Sequence, residues 1–263
     1  MIVAKTVLYY FTATGNSLAA AQELGSLLED SLLVPIVSAN GEECSKETQR
    51  IGLVTPVYHL GLPRIVADFC VNTLAVFQQA YYFLVLTYGG IAGAAGMQAA
   101  RLLEQRGIAL SYCASVAMVD NFVPRRRIPT EERQQDILLS ADERLREIAA
   151  HITEQDFASA HDLFTNAQLR YHDKAAQRYS DSDRLLTVNS HCTSCGLCEK
   201  VCPVQNIRVG EKKVEFLHHC EQCLACLHWC PPSAINAGVK TAKRGRYHHP
   251  RIRSQDIARQ KSK

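Results

Sequence analysis

Short apolar runs alternate with segments of helical spacing over roughly the first 155 residues. The runs KTVLYYF (5–11), LLVPIV (32–37), IGLVTPVY (51–58), YFLVLTY (82–88) and LSYCASVAMV (110–119) are rich in β-branched and aromatic residues. Between them lie NSLAAAQELGSLLED and MQAARLLEQRG, whose apolar positions recur at helical intervals. This alternation predicts an α/β fold with a parallel sheet covered on both faces. Thr130 precedes EERQQDILLSADERLREIAA, which has acids in its first turn, and is the expected N-cap of a long closing helix.

In such open sheets ligands bind beyond the carboxyl ends of the strands, where the strand order reverses. The loops at those ends therefore carry the candidate chemistry. After the first strand comes FTATGNS (11–17), in which Thr12, Thr14 and Ser17 offer hydroxyls and Gly15 permits a tight turn. Asn16 opens a helix whose free N–H groups favour an anion. This is a phosphate site without a lysine, since G-x-x-x-x-G-K-[ST] is absent; a hydroxyl-rich helix cap is the plainer alternative. After the third strand stands TPVYHLGLP (55–63), where Tyr58 or His59 could lie against a planar ring. After the fourth stands TYGGIAGAAG (87–96), whose glycines let the main chain approach a heterocycle. No G-x-G-x-x-G is present, which argues against a dinucleotide fingerprint.

The pattern then changes. Cys192-x2-Cys195-x2-Cys198-x3-Cys202-Pro203 is repeated as Cys220-x2-Cys223-x2-Cys226-x3-Cys230-Pro231. Each run is the spacing of bacterial two-cluster 4Fe–4S proteins, whose fourth cysteine serves the other cluster. Cys192, Cys195, Cys198 and Cys230 are thus expected to hold one cube, and Cys220, Cys223, Cys226 and Cys202 the other. Zinc is the competing reading, but zinc sites pair their ligands as separated C-x2-C units. NIRVGEKKVEFL, between the repeats, reads as a short hairpin. Trp229 is expected to pack near a cluster. Cys70 and Cys113 read as small buried hydrophobes and Cys44 as a loop cysteine open to exposure.

Charge adds one feature. Residues 240–263 hold nine Lys or Arg and one acid, a local +8 that leaves −5 for the rest of a chain of formal charge +3. The Tyr, His and Pro of RGRYHHPRI (244–252) suggest a segment that folds back onto the acidic body; its removal is expected to leave cofactors bound and alter partner docking. The N-terminus lacks the features of a secretory signal, and no apolar run approaches the roughly 18–20 residues of a membrane helix. A cytoplasmic protein is expected, in which clustered thiols bind metal. No recognisable nucleic-acid module is present, which leaves an iron–sulfur sensor with a basic DNA-binding tail as a minor alternative.

Read together, the three loops of the first 152 residues resemble the FMN loops of flavodoxins: T-x-T-G-N, P-x-Y…G-x-P and T-x-G-G. The resemblance implies a five-stranded doubly wound sheet of order 2-1-3-4-5. It implies a phosphate held by Thr12, Ala13, Thr14, Gly15, Asn16 and Ser17, and a flavin ring held by Pro56, Val57, Tyr58, His59, Thr87, Tyr88, Gly89 and Gly90. The chain departs from the many flavodoxins that are strongly acidic and sandwich the ring between Trp and Tyr. Residues 187–238 resemble a small α+β bacterial-type ferredoxin domain. As a whole the chain resembles the flavodoxin–ferredoxin fusions of anaerobic microbes, the EFR1-family ferredoxins. The expected organisation is a flavodoxin-like domain (1–155), a helical linker (156–186), a ferredoxin domain (187–238) and a basic tail (239–263). The resemblance implies an electron-transfer protein carrying FMN and two 4Fe–4S clusters and serving redox partner proteins. An FMN-dependent oxidoreductase acting on a small substrate or NAD(P)H is the alternative.

Overall fold

The computed structural model describes residues 4–158, 165–211 and 213–261. Strands β1 (Thr6–Tyr10), β2 (Ser31–Pro35), β3 (Arg50–Pro56), β4 (Tyr81–Tyr88) and β5 (Leu110–Ala117) form one parallel sheet in the order β2-β1-β3-β4-β5. Every strand coincides with an apolar run of the sequence. Helices α1 (Asn16–Leu27) and α4 (Glu131–Glu154) cover one face, and α2 (Arg64–Asn72) and α3 (Ala95–Glu104) the other.

Side chains of a strand alternate between faces, and here they feed two separate cores. Leu8, Tyr10, Phe83 and Val85 join Leu145, Ile148 and Ile152 of α4. Val7, Tyr9, Ile51, Leu53 and Leu84 join Val66 and Phe69 of α2 and Leu103 of α3. As expected, the Thr130 hydroxyl caps α4, accepting from the Arg133 N–H at 3.4 Å. Two-faced burial of a parallel sheet in this strand order is the flavodoxin-like doubly wound arrangement. The order reverses between β1 and β3, so their carboxyl ends flank the predicted binding crevice.

Helix α5 (Thr165–Ala176) follows, then a small unit built from two similar halves. Strands β6 (Leu186–Val188) and β9 (Ile235–Ala237) pair antiparallel, as do β7 (Ile207–Val209) and β8 (Val214–Phe216), the latter being the expected hairpin. Short helices α6 (Leu197–Lys200) and α7 (Ala225–His228) each start after a left-handed residue, Gly196 or Leu224. Val123, from the sheet half, joins Ile207, Leu227 and Ile235 in the core of this unit. The last described elements are α8 (Ser254–Ala258) and a turn to Lys261.

The three cysteines outside the repeats differ in setting. Cys70 is buried, as expected, whereas Cys113 is only half-buried. Cys44 is not an open loop thiol: it lies 3.4 Å from the Tyr9 hydroxyl, and burial raises its pKa above the usual range. Among the described residues no helix is long and apolar enough to cross a membrane.

Candidate cofactor sites

The loop after β1 is tied to its neighbours by short polar contacts. Gly15 takes a φ of 102°, turning the chain into α1, and its N–H donates to Thr12 Oγ1 at 3.1 Å. Ser17 Oγ lies 2.8 Å from Thr87 Oγ1. Asn121 donates to Thr14 Oγ1 at 2.6 Å, and Asn16 donates to the Val119 carbonyl at 3.1 Å. The ends of β1, β4 and β5 are thereby stitched together around the start of α1.

These loops enclose a cavity of 310 Å³, within the range of small-molecule and cofactor sites. Thr12, Ala13, Thr14, Asn16 and Ser17 line one part, with Pro56, Val57, Tyr58, His59, Thr87, Tyr88, Gly89 and Gly90 elsewhere on its wall. Gly15 alone of the predicted set is not on the wall. Its α-carbon faces the other way, where an added Cβ would stand 2.9 Å from Ile252 Cβ.

The structure separates the two ring candidates. Tyr58 packs edge-on to Phe11, with centroids 6.3 Å apart. Burial raises its phenol pKa, and the nearby Cys223 and Glu221 raise it further. His59, at a φ of 48°, is held by a 2.8 Å hydrogen bond between its Nε2 and Gln222 Oε1. Burial lowers the His59 pKa, with Gln222 opposing and Arg125 and His172 adding to the shift. Hydrogen-bonded to Gln222, the His59 imidazole forms part of the cavity wall.

Sequence reasoning missed part of this wall. The loop after β5 contributes Val119, Asp120, Asn121, Phe122, Arg125 and Arg126. It lies at the same carboxyl edge as the other three loops, so the strand order was a signal that could have found it. Tyr171 of α5 also lines the cavity, and His172 is buried, its Nδ1 3.0 Å from the Tyr58 carbonyl. The His172 ring occupies the space where a side chain on Gly61 would stand. Helix α5 is thus packed against the ring loop.

The eight repeat cysteines fall into two groups. Cys202, Cys220, Cys223 and Cys226 line one cavity, of 140 Å³. Cys192, Cys195, Cys198 and Cys230 line another. This is the crossed partition expected from the spacing. Burial is the main cause raising the pKa of the Cys223 and Cys226 thiols, and the neighbouring thiols of their group raise it further. Cys198 is pushed up to about 11, by burial and then by Cys230 and Cys195. Backbone N–H groups of Asn206, Gln222 and Ala234 each donate to a sulfur, on Cys202, Cys220 and Cys230, at 3.2 Å. Among the described residues no His, Cys, Asp or Glu group closes to the spacing of a single-ion site. Crowded thiols around a volume, supported by N–H donors, suit a multi-iron cationic core that would offset part of the charge of four thiolates.

Cys223 joins the two regions. With Gln222 and Leu224 it lines both the 310 Å³ cavity and the 140 Å³ cavity. Cys195, in the other thiol group, is exposed. One thiol group therefore abuts the loop cavity, and the other reaches the surface.

Among comparisons with known proteins, a family model bears on the cysteine-rich part. The family model of the 4Fe–4S dicluster domain matches residues 184–232. No curated protein matches the chain. Among solved structures, a Fusobacterium nucleatum flavodoxin bound to flavin mononucleotide is 13% identical, with a TM-score of 0.39 over 59% of this chain and 100% of that one. A Streptococcus pneumonia TIGR4 flavodoxin is 17% identical, with a TM-score of 0.40 over 57% and 97%. A flavodoxin from the domain Archaea is 17% identical, with a TM-score of 0.37 over 56% and 99%. The fold assignment rests on the strand order itself: the chain joins a flavodoxin-like sheet to a segment similar to 4Fe–4S dicluster domains.

Proposed function

We propose that the protein is an electron carrier with FMN in the 310 Å³ cavity and a 4Fe–4S cluster on each thiol group, working with redox partner proteins in the cytoplasm. In this reading it is one of the EFR1-type flavodoxin–ferredoxin fusions. The observation that carries the proposal is Cys223, a wall shared by the cavity at the sheet edge and the inner thiol group.

When bound, FMN supplies a carrier of one or two electrons and each cube a carrier of one. The chain's own residues fix where these carriers sit. Thr12, Thr14 and Ser17 hydroxyls and the first N–H groups of α1 form a neutral, donor-rich cradle for a phosphate. Gly89 packs its bare α-carbon on Asp120, Gly90 leaves the main chain open beside the cavity, and Tyr58 and His59 wall the side toward Cys223. Cys202, Cys220, Cys223 and Cys226 hold the inner cluster; Cys192, Cys195, Cys198 and Cys230 hold the outer one. Exposed Cys195 marks the face open to a partner. Holding both carriers on one chain replaces a bimolecular encounter by an intramolecular one, at an effective concentration in roughly the millimolar range.

The test is cofactor content after anaerobic purification. About eight irons, matching acid-labile sulfide and about one FMN per chain are expected. Zinc in place of iron and sulfide, or no flavin after gentle preparation, contradicts the proposal.

A further inference from the structure

Residues 247–260 and the chain's only tryptophan converge on the loop after β1, on the side away from the cavity. Trp229 Nε1 donates to the Ala13 carbonyl at 2.9 Å. The His249 N–H donates to the Thr14 carbonyl at 2.8 Å. Gln260 Nε2 donates to the Thr12 carbonyl at 3.2 Å, and the Tyr247 hydroxyl to Asn16 Oδ1 at 2.8 Å. All four of these residues are buried. Ile252 and Ile257 join Ala13 and Leu18 in the same core, and the Ile252 and His249 side chains press on the bare α-carbon of Gly15.

We infer that Trp229 and residues 247–260 are positioning residues for the phosphate loop, so that the iron–sulfur half completes the flavin site and sets its affinity for the phosphate. The inference rests on the FMN reading above and deepens it. A trans peptide points its N–H opposite its C=O. Carbonyls of Thr12 and Ala13 held outward by Gln260 and Trp229 turn the N–H groups of Ala13 and Thr14 toward the cavity that both residues line. Without those partners the peptides are free to rotate, and orienting them becomes a cost of binding.

Two further contacts make the clamp depend on the cysteine unit. Trp229 stands beside Cys230 and three residues after Cys226, one cysteine from each thiol group, and stacks on His248 with centroids 4.3 Å apart. His228 accepts from the Tyr247 N–H at 3.1 Å and, through Nε2, contacts the Asn121 carbonyl at 2.8 Å. Asn121 in turn holds the Thr14 hydroxyl. The arginines of the segment are engaged elsewhere: Arg251 pairs with Glu23 and Asp142, and Arg253 and Arg259 with Asp256; just before it, Arg246 donates to the carbonyls of Leu227 and Ile235. On this inference the segment supports the site from behind, and its removal should weaken FMN binding.

The experiment compares FMN with riboflavin, which lacks the phosphate, on full-length protein with its clusters intact and its flavin removed. Wild type, Trp229→Phe and Tyr247→Phe are titrated anaerobically by flavin fluorescence. Each variant loses one hydrogen bond, so FMN binding is expected to weaken about 3- to 10-fold and riboflavin binding by less than about twofold. Iron and sulfide contents stay those of wild type. Reciprocally, FMN should slow tryptic cleavage after Arg251, Arg253 and Arg259 more than riboflavin does. Unchanged FMN affinity, equal weakening of both flavins, or equal protection by both overturns the inference. If wild type binds neither flavin, the FMN reading falls, and this inference with it.

Discussion

Glu221, from the cysteine-rich unit, accepts a hydrogen bond from the Arg64 backbone N–H at 2.6 Å and so caps helix α2 of the sheet. The Ile65 N–H adds a contact at 3.4 Å, and the Arg64 guanidinium pairs with the same carboxylate at 3.3 Å. The Glu221 side chain is 3% exposed, so its charge depends on these partners.

Arg64→Ala leaves that carboxylate buried without its counter-charge. Such losses cost about 3 kcal/mol or more for buried pairs, and less here because Arg64 itself is one-third open to water. A loss of about 2 kcal/mol is expected in anaerobic denaturant unfolding. Glu221→Gln keeps an acceptor for the α2 cap and should cost less. Equal stability of Arg64→Ala and wild type would show that the two halves do not rely on this latch.

How far the sequence carried this picture follows from how local each signal is. The five strands were legible because a buried parallel strand is a continuous apolar run. The loops at 12–17, 56–59 and 87–90 were legible because their glycines and hydroxyls sit directly after such runs. The thiol partition was legible because C-x2-C-x2-C-x3-C fixes which sulfurs converge. Tyr171, Gln222 and Tyr247 were not, since each reaches the cavity or its loop only through tertiary packing. Trp229 illustrates the limit: its neighbour Cys230 was visible in the sequence, but its partner Ala13 lies 216 residues away.

Acid should loosen the clamp through His249. Burial, and then Arg251, lowers its pKa to about 4, with Asp142 opposing. A group whose pKa is depressed on folding contributes stability above its unfolded value, near 6.5, that is lost as pH falls toward the folded value. Two to three pKa units correspond to about 3 kcal/mol, so unfolding stability should decline between about pH 6.5 and 4. His249→Asn removes the titration and keeps an acceptor for the Arg251 N–H that His249 Nδ1 binds at 3.3 Å. The variant should make that part of the pH profile less steep, with buried His228, also lowered to about 4, supplying the remainder; an unchanged slope would assign the titration elsewhere.

Gly15→Ala should destabilise the protein by about 2 kcal/mol or more. The added methyl meets Ile252 and His249, and a φ of 102° is strained for any residue with a Cβ. Pairing it with Ile252→Ala removes only the Cγ1 contact at 3.1 Å and keeps the Ile252 Cβ contact at 2.9 Å, so it should recover little of the steric part and none of the backbone strain. Thermal unfolding of the single and double variants measures the recovery. Full recovery in the double variant would mean that the backbone relaxes without cost.

In the proposed function, electrons pass between the inner thiol group and the flavin-loop cavity across the wall they share at Cys223. The most direct measurement is rapid anaerobic mixing with a low-potential one-electron donor that reaches the bound flavin only slowly by itself, with flavin bleaching as the signal. Wild type should show iron–sulfur absorbance changing before or together with bleaching. Cys223→Ser, at matched FMN content, should bleach at least about tenfold more slowly, since one ligand of the inner site is lost. Bleaching at the wild-type rate in that variant, with its inner cluster shown by iron and sulfide analysis to be damaged, would contradict the account.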